Sequence, residues 1–187
     1  MGPHGPSSPA ERPSRRAAVR PYRDFVTGQH SAAAELGTGW FGSGLSPHAV
    51  AQLAECCASV RTFDAGDVIL NEGADTDTFG IVLDGRVALR LVVPERGAVT
   101  MMTVEPGDVL GWSALVPPYR STSTAVAVEP TRLLAFENAP LRKALQEDPA
   151  LAATVYPRVL EAVARRLGAT RHQLLDLYGR DTEAVIW

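Results

Sequence analysis

The sequence predicts a mainly β fold with flanking helices, and three observations carry that reading. Between Val60 and Phe136, short runs of β-forming residues recur, separated by turns rich in glycine, aspartate and asparagine. Before Val60 and after Asn138, the apolar residues step at helical spacing instead. The 187 residues, 45% of them hydrophobic, are enough for one ordinary core with some additional chain.

The strands are expected at Val60–Phe63, Val68–Leu70, Phe79–Leu83, Val87–Val93, Val99–Val104, Val109–Gly111, Ser123–Val128 and Thr131–Phe136. Between the earlier ones sit Ala65-Gly66-Asp67, Asn71-Glu72-Gly73, Asp84-Gly85 and Pro106-Gly107-Asp108. Asp-Gly between two apolar runs is a strong hairpin signal, because the glycine accepts the positive φ that the tight turn requires. Eight or so short strands joined in this way suit a sandwich, a jelly roll or a barrel.

The helices follow from caps and periodicity. Ser46 is a good N-cap and Pro47 occupies the first helical position. Val50, Leu53, Ala54 and Cys57 then share a face, so Ser46–Ser59 reads as a helix. Cys56 and Cys57, the only cysteines, read as packing residues. A short helix opens at Asn138-Ala139-Pro140, and a longer one runs from Asp148-Pro149 to about Tyr178, with Pro157 expected to kink or divide it. Beyond Pro157, Leu160, Val163, Leu167, Thr170, Leu174 and Leu177 step by three and four, which is a coiled-coil seam. That stripe fits a homodimer or packing onto the chain's own β domain.

Residues 1–39 read as a disordered arm, with prolines among Ser, Gly and Arg and few large apolar residues. Arg12, Arg15, Arg16, Arg20 and Arg23 give it local positive charge. The folded units then run 40–137 for the β roll with its N-terminal helix and 138–178 for the C-terminal helices, with 179–187 as a tail.

Composition narrows the function classes. A net charge of −3 argues against electrostatic coating of nucleic acid. No apolar run reaches the length of a membrane span, no signal-peptide core is present, and the cysteine usage suits a reduced compartment, so a cytoplasmic location is expected. The histidines, His4, His30, His48 and His172, all fall outside Val60–Phe136, which argues against a metal site or a Ser-His-Asp arrangement inside the β region. With no Gly-Lys-Ser phosphate loop and no dinucleotide fingerprint, neither an enzymatic activity nor a resident cofactor is expected.

The chemistry on offer lies in Gly107–Val126. Gly111 precedes a piece able to form one helical turn, Trp112–Leu115, followed by Val116-Pro117-Pro118-Tyr119, then Arg120 and the hydroxyl run Ser121-Thr122-Ser123-Thr124. Backbone N–H groups at the start of a turn, a guanidinium and several hydroxyls are the means of binding an anion. A surface loop with one solvated arginine is the plain alternative.

Taken together, Ala65-Gly66-Asp67-Val68-Ile69-Leu70, Glu72-Gly73, Phe79-Gly80-Ile81-Val82-Leu83-Asp84-Gly85-Arg86-Val87 and Pro106-Gly107-Asp108-Val109-Leu110-Gly111 resemble the cyclic-nucleotide-binding domain, and in particular bacterial regulators of the Crp/Fnr family. Arg165-Arg166-Leu167-Gly168-Ala169-Thr170 resembles their dimer helix. The resemblance covers about Leu45–Gly179. It implies a β jelly roll followed by a long C-terminal dimerisation helix, and a regulatory domain that senses cyclic AMP, cyclic GMP or another anionic ligand. It also implies that Gly111, Trp112, Ser113, Ala114, Arg120, Ser121 and Thr122 form the phosphate cassette, and that Thr170 reaches the ligand from the helix. Homodimerisation would use Leu160, Val163, Leu167, Leu174 and Leu177.

Two departures matter. The family's ribose-binding glutamate aligns with Trp112, whose indole donates one hydrogen bond and accepts none. Losing a charge-assisted bond of that kind weakens binding by about one to two decades. After the seam helix only Gly179–Trp187 follow, too few for a helix-turn-helix, so direct sequence-specific DNA reading is not expected. A ligand-free interaction module with Trp112 filling the pocket, and an accessory regulator lacking its own DNA-reading part, are the alternatives.

Overall fold

The computed structural model describes residues 23–25, 29–36, 39–56, 59–76 and 78–182. In chain order the elements are β1 (Arg23–Phe25), α1 (Gln29–Leu36), α2 (Pro47–Glu55), β2 (Ser59–Phe63), β3 (Val68–Leu70), β4 (Thr78–Asp84), β5 (Val87–Val93), β6 (Gly97–Val104), β7 (Val109–Leu110), a 3-10 turn (Trp112–Ala114), β8 (Thr124–Ala127), β9 (Thr131–Glu137), α3 (Asn138–Glu147) and α4 (Pro149–Thr182). One sheet has the order β1-β2-β9-β4-β7 and the other β3-β8-β5-β6. Each strand pairing is antiparallel. This is the jelly roll with a C-terminal helix that the resemblance implied, and all eight expected strands are present.

The two faces of the first sheet do different work. On β4 and β9, Phe79 pairs with Phe136 and Ile81 with Leu134, and these side chains join the helices in one apolar cluster with Phe41, Leu53, Leu141 and Leu151. The intervening positions, Val82 and Leu133 with Ala135, face the roll interior beside Val87, Leu89, Val104 and Ala125 of the second sheet. Side chains alternate faces along a strand, so a strand covered on both sides must be apolar throughout. The unbroken run Phe79-Gly80-Ile81-Val82-Leu83 is that pattern.

The helices differ from expectation in four places. The segment 1–39 is not an unstructured arm throughout. β1 pairs with β2, and α1 buries Ala32 and Leu36 against the main core, with Arg132 Nη2 bonded to Glu35 Oε1 at 3.0 Å. Locally these residues hold little apolar surface; a core built by distant segments supplies what they bury. Second, α2 begins as expected, with Ser46 Oγ accepting the Ala49 N–H at 3.1 Å and Pro47 leading, but it stops at Glu55, and Ser59 opens β2. Cys56 is buried in the core as a packing residue, whereas Cys57 lies outside the described residues. Third, α4 is not divided at Pro157, one of the two outcomes expected there, and runs through it as one helix. Fourth, α4 continues to Thr182 instead of giving way to a tail at Gly179. Among the described residues no helix is long and apolar enough to cross a membrane.

Along α4, Leu151, Val155, Val159 and Ala162 are buried, while Leu160 and Leu167 are 69% and 51% exposed. The inner stripe anchors the helix; of the expected seam positions, Leu160 faces outward, Val163 is half-buried and Leu167 is partly exposed. The side chains of Leu174 and Leu177 lie outside the described residues.

Candidate functional site

A tight turn carries the site. Gly111 adopts a left-handed φ of 71°, and a Cβ there would lie 2.3 Å from the Thr78 carbonyl oxygen. Only glycine supplies both that conformation and that clearance. The chain can therefore turn sharply out of β7 into the 3-10 turn.

The structure separates the expected cassette into an inner and an outer set. Trp112, Thr122 and Thr170 share the lining of one cavity of about 230 Å³, between β5, β6 and α4. Ser123 and Arg166 complete its polar lining, and Leu89, Leu91, Met101, Met102, Val163 and Leu167 its apolar one. Trp112 is also packed against the main core. Ser113 and Ala114 are buried beneath: Ser113 Oγ and Thr76 Oγ1 share a hydrogen bond of 3.2 Å, and the Ala114 carbonyl accepts from Arg142 Nη1 at 2.9 Å.

Arg120 and Ser121 do not line this cavity. The Arg120 Nε stands 3.4 Å from Asp75 Oδ1, and both side chains are exposed. The Ser121 hydroxyl is spent on the Ser123 carbonyl at 2.8 Å. The backbone explains this. Thr76 N–H donates to Tyr119 O at 2.8 Å, Ser121 N–H to Ala74 O at 2.9 Å, and Gly73 N–H to Ser121 O at 2.8 Å. Those bonds lay the cassette's return against Gly73–Thr76, and Arg120 falls beside Asp75. Tyr119, at a φ of 61°, is covered by Arg142, whose guanidinium carbon lies 4.5 Å from the ring centroid.

Arg166 is the residue that sequence reasoning missed. It was legible only as part of a helix motif, because nothing in the sequence says which face of α4 meets the roll. Its Nη2 donates to the Val109 carbonyl, and among the described residues it has no ion pair. Its neighbour Arg165 takes Asp108 instead, at 2.9 Å, and lies over the Trp40 ring with its guanidinium carbon 4.0 Å from the centroid. Burial pulls the Arg166 guanidinium below the ordinary arginine value; the Asp108 charge opposes this and the Arg165 charge adds to it. A partly buried cation with one hydrogen bond keeps several N–H donors for something else. Thr170 sits one turn along, its hydroxyl donating to the Arg166 carbonyl at 3.0 Å.

A second, open recess of about 630 Å³ lies beside Tyr119, among Arg61, Thr76, Thr78, Asn138 and Arg142. Asn138 is 5% exposed; its Nδ2 donates to the Thr76 carbonyl.

Comparison with known proteins agrees with this architecture. Residues 60–148 match the cyclic nucleotide-binding domain. Over 98 residues the chain is 32% identical to the acetyltransferase Pat of Mycolicibacterium smegmatis, a match that takes in 52% of this chain and 29% of that protein. The chain thus spans about three-tenths of the length of this curated relative. The structure is similar to the catabolite activator protein of Thermus thermophilus, with a TM-score of 0.58 and 25% identity over 74% of this chain and 62% of that one. It shares its fold with a cyclic nucleotide-binding domain from Methylobacillus flagellatus, with a TM-score of 0.71 at 18% identity over 83% and 88% of the two chains. Residues 60–148 are thus similar to the cyclic nucleotide-binding domain, and a regulator of the Crp/Fnr type is among the structures this chain resembles.

Proposed function

We propose that this chain is a regulatory sensor without catalytic activity of its own, acting in the cytoplasm, that takes an anionic small ligand between the β roll and α4. One observation carries the reading. Arg166 lines the cavity, partly buried, with a single hydrogen bond and no carboxylate partner among the described residues. The one carboxylate near it among the described residues, Asp108, is shared with Arg165, so this desolvated charge is only partly compensated, and an anion entering the cavity supplies a counterion. Thr122, Ser123 and Thr170 offer hydroxyls around the same space. Because Arg166 and Thr170 stand on α4, a bound ligand changes the contacts that hold the helix. It shifts the helix by as much as its affinity differs between two helix positions. The output then passes through the outer face of α4 to a second copy of the chain.

The family makes cyclic AMP and cyclic GMP the first ligands to test, by calorimetric titration of the full chain. Saturable binding that Arg166→Gln abolishes and Arg120→Ala spares supports the reading. Absence of heat and of any melting shift at millimolar nucleotide removes the two nucleotides as ligands. The acetyltransferase relative shares only 29% of its length with this chain, so its activity is not carried over.

A second reading is favoured by the outward position of Arg120 and the packing of Trp112 on the core. In it the cavity takes no ligand, and the fold serves as a docking module or an accessory regulator. A full chain that binds no anion yet retains a specific protein partner would establish it.

A further inference from the structure

We infer that the cavity against α4 takes a compact organic monoanion with a flat apolar body, an aryl carboxylate in chemical class, in preference to a nucleotide. The inference rests on the sensor reading above and names the ligand class for the same cavity.

The argument is an inventory of partners. Seven side chains of the lining present apolar surface: Leu89, Leu91, Met101, Met102, Val163 and Leu167, with the indole of Trp112. Thioethers and an indole are well suited to an aromatic ring. The polar side chains are one guanidinium and the hydroxyls of Thr122, Ser123 and Thr170, and the Thr170 hydroxyl proton is committed to the Arg166 carbonyl. The lining therefore offers one cation and no carboxylate.

A cyclic nucleotide brings more than its charge. It carries a ribose hydroxyl and a base edge with several donors and acceptors. Buried donors without acceptors are strongly penalised. Trp112 aligns with the carboxylate that would take the ribose, and Arg120, the second guanidinium that a phosphate would use, lies outside beside Asp75, where backbone bonds to Gly73, Ala74 and Thr76 set its segment. An aryl carboxylate brings one charged group for Arg166 and leaves no other polar atom to satisfy. Size points the same way: about 230 Å³ lies below the roughly 300–1,000 Å³ usual for small-molecule sites.

The test is a titration of the full chain with 2-naphthoate, its uncharged analogue 2-naphthamide, and cyclic AMP, read by calorimetry and by thermal shift. The expected result is saturable binding of 2-naphthoate, at least about tenfold weaker binding of the amide, and weaker binding of the nucleotide than of the acid. The acid and amide comparison uses the unaltered protein, so it does not depend on any variant folding. Arg166→Gln, checked for an unchanged fold by circular dichroism, should abolish the preference for the acid. Tighter binding of cyclic AMP than of 2-naphthoate overturns the inference and leaves the sensor reading standing. Equal binding of acid and amide overturns the role of charge in the inference. Binding of none of the three overturns the inference and leaves the sensor reading to anions of other classes.

Discussion

The guanidinium of Arg120 meets the carboxylate of Asp75 at 3.4 Å on the outside of the cassette, where the two residues also form an isolated antiparallel bridge. The arginine that the family resemblance placed on the phosphate is thus held by a carboxylate on the neighbouring loop. Exposed pairs of this type contribute about 0–1 kcal/mol, since solvent screens both charges. Arg120→Ala should therefore lower stability by no more than about 1 kcal/mol and leave ligand affinity unchanged. Urea unfolding and calorimetry would check both. A loss of affinity of about tenfold or more would return Arg120 to the binding site.

Gly111 is the hinge of the turn that sets Trp112 against the cavity. An alanine there would adopt an unfavourable left-handed conformation and press its methyl group against the Thr78 carbonyl. Gly111→Ala should destabilise the domain by roughly 2 kcal/mol or more. The midpoint of urea unfolding should fall accordingly. An unchanged midpoint would mean that the turn can rearrange, and the geometry argued for Trp112 would then need revision.

The outer stripe of α4 tests self-association. Leu160 is exposed and does not line the cavity. If the helix pairs with a second copy, Leu160→Glu should convert a dimer into a monomer in light scattering at tens of micromolar, with little change in the melting of the β roll. A monomeric mass for the unaltered chain at the same concentration would refute the dimer outright.

Asp148 links acid stability to the start of α4. Its Oδ1 accepts the N–H groups of Ala150 and Leu151 at 2.8 and 3.0 Å, and its Oδ2 accepts from Gln52 Nε2 at 2.6 Å. The Gln52 hydrogen bond, first, and those backbone bonds hold the carboxyl below its ordinary value of 3.8. A carboxyl with a lowered folded value adds stability above its unfolded value, and that stability is lost as pH falls through the folded value. Stability should therefore decline as pH drops below about 4, and less steeply in Asp148→Asn. Carbon-detected NMR titration should place Asp148 below 3.8; a value at or above it would show that the cap does not favour the ionised form.

Much of the fold was legible along the chain. The alternation of apolar residues with Gly66, Gly73, Gly85 and Gly107 marked the strands, because strand faces and turns are dictated by neighbours a few residues apart. Ser46 and Pro47 marked the start of α2 for the same reason. α1 escaped notice because Ala32 and Leu36 are buried only against residues far away in sequence.

The cassette shows where local reading ends. The residue types at Gly111, Trp112, Arg120 and Thr170 were all visible, and so was the missing carboxylate at Trp112. Which arginine faces the cavity was not. Arg120 is turned outward by hydrogen bonds from Gly73–Thr76 to its neighbours, and Arg166 is turned inward by the way α4 lies on β7. Sequence alone determined the strands, their turns and the long helix, since these follow from periodicity and glycine; the choice of a jelly roll among β folds rested on the family resemblance. The tertiary structure alone decided which cation faces the cavity, because a side chain's direction is fixed by the distant backbone that its own segment pairs with.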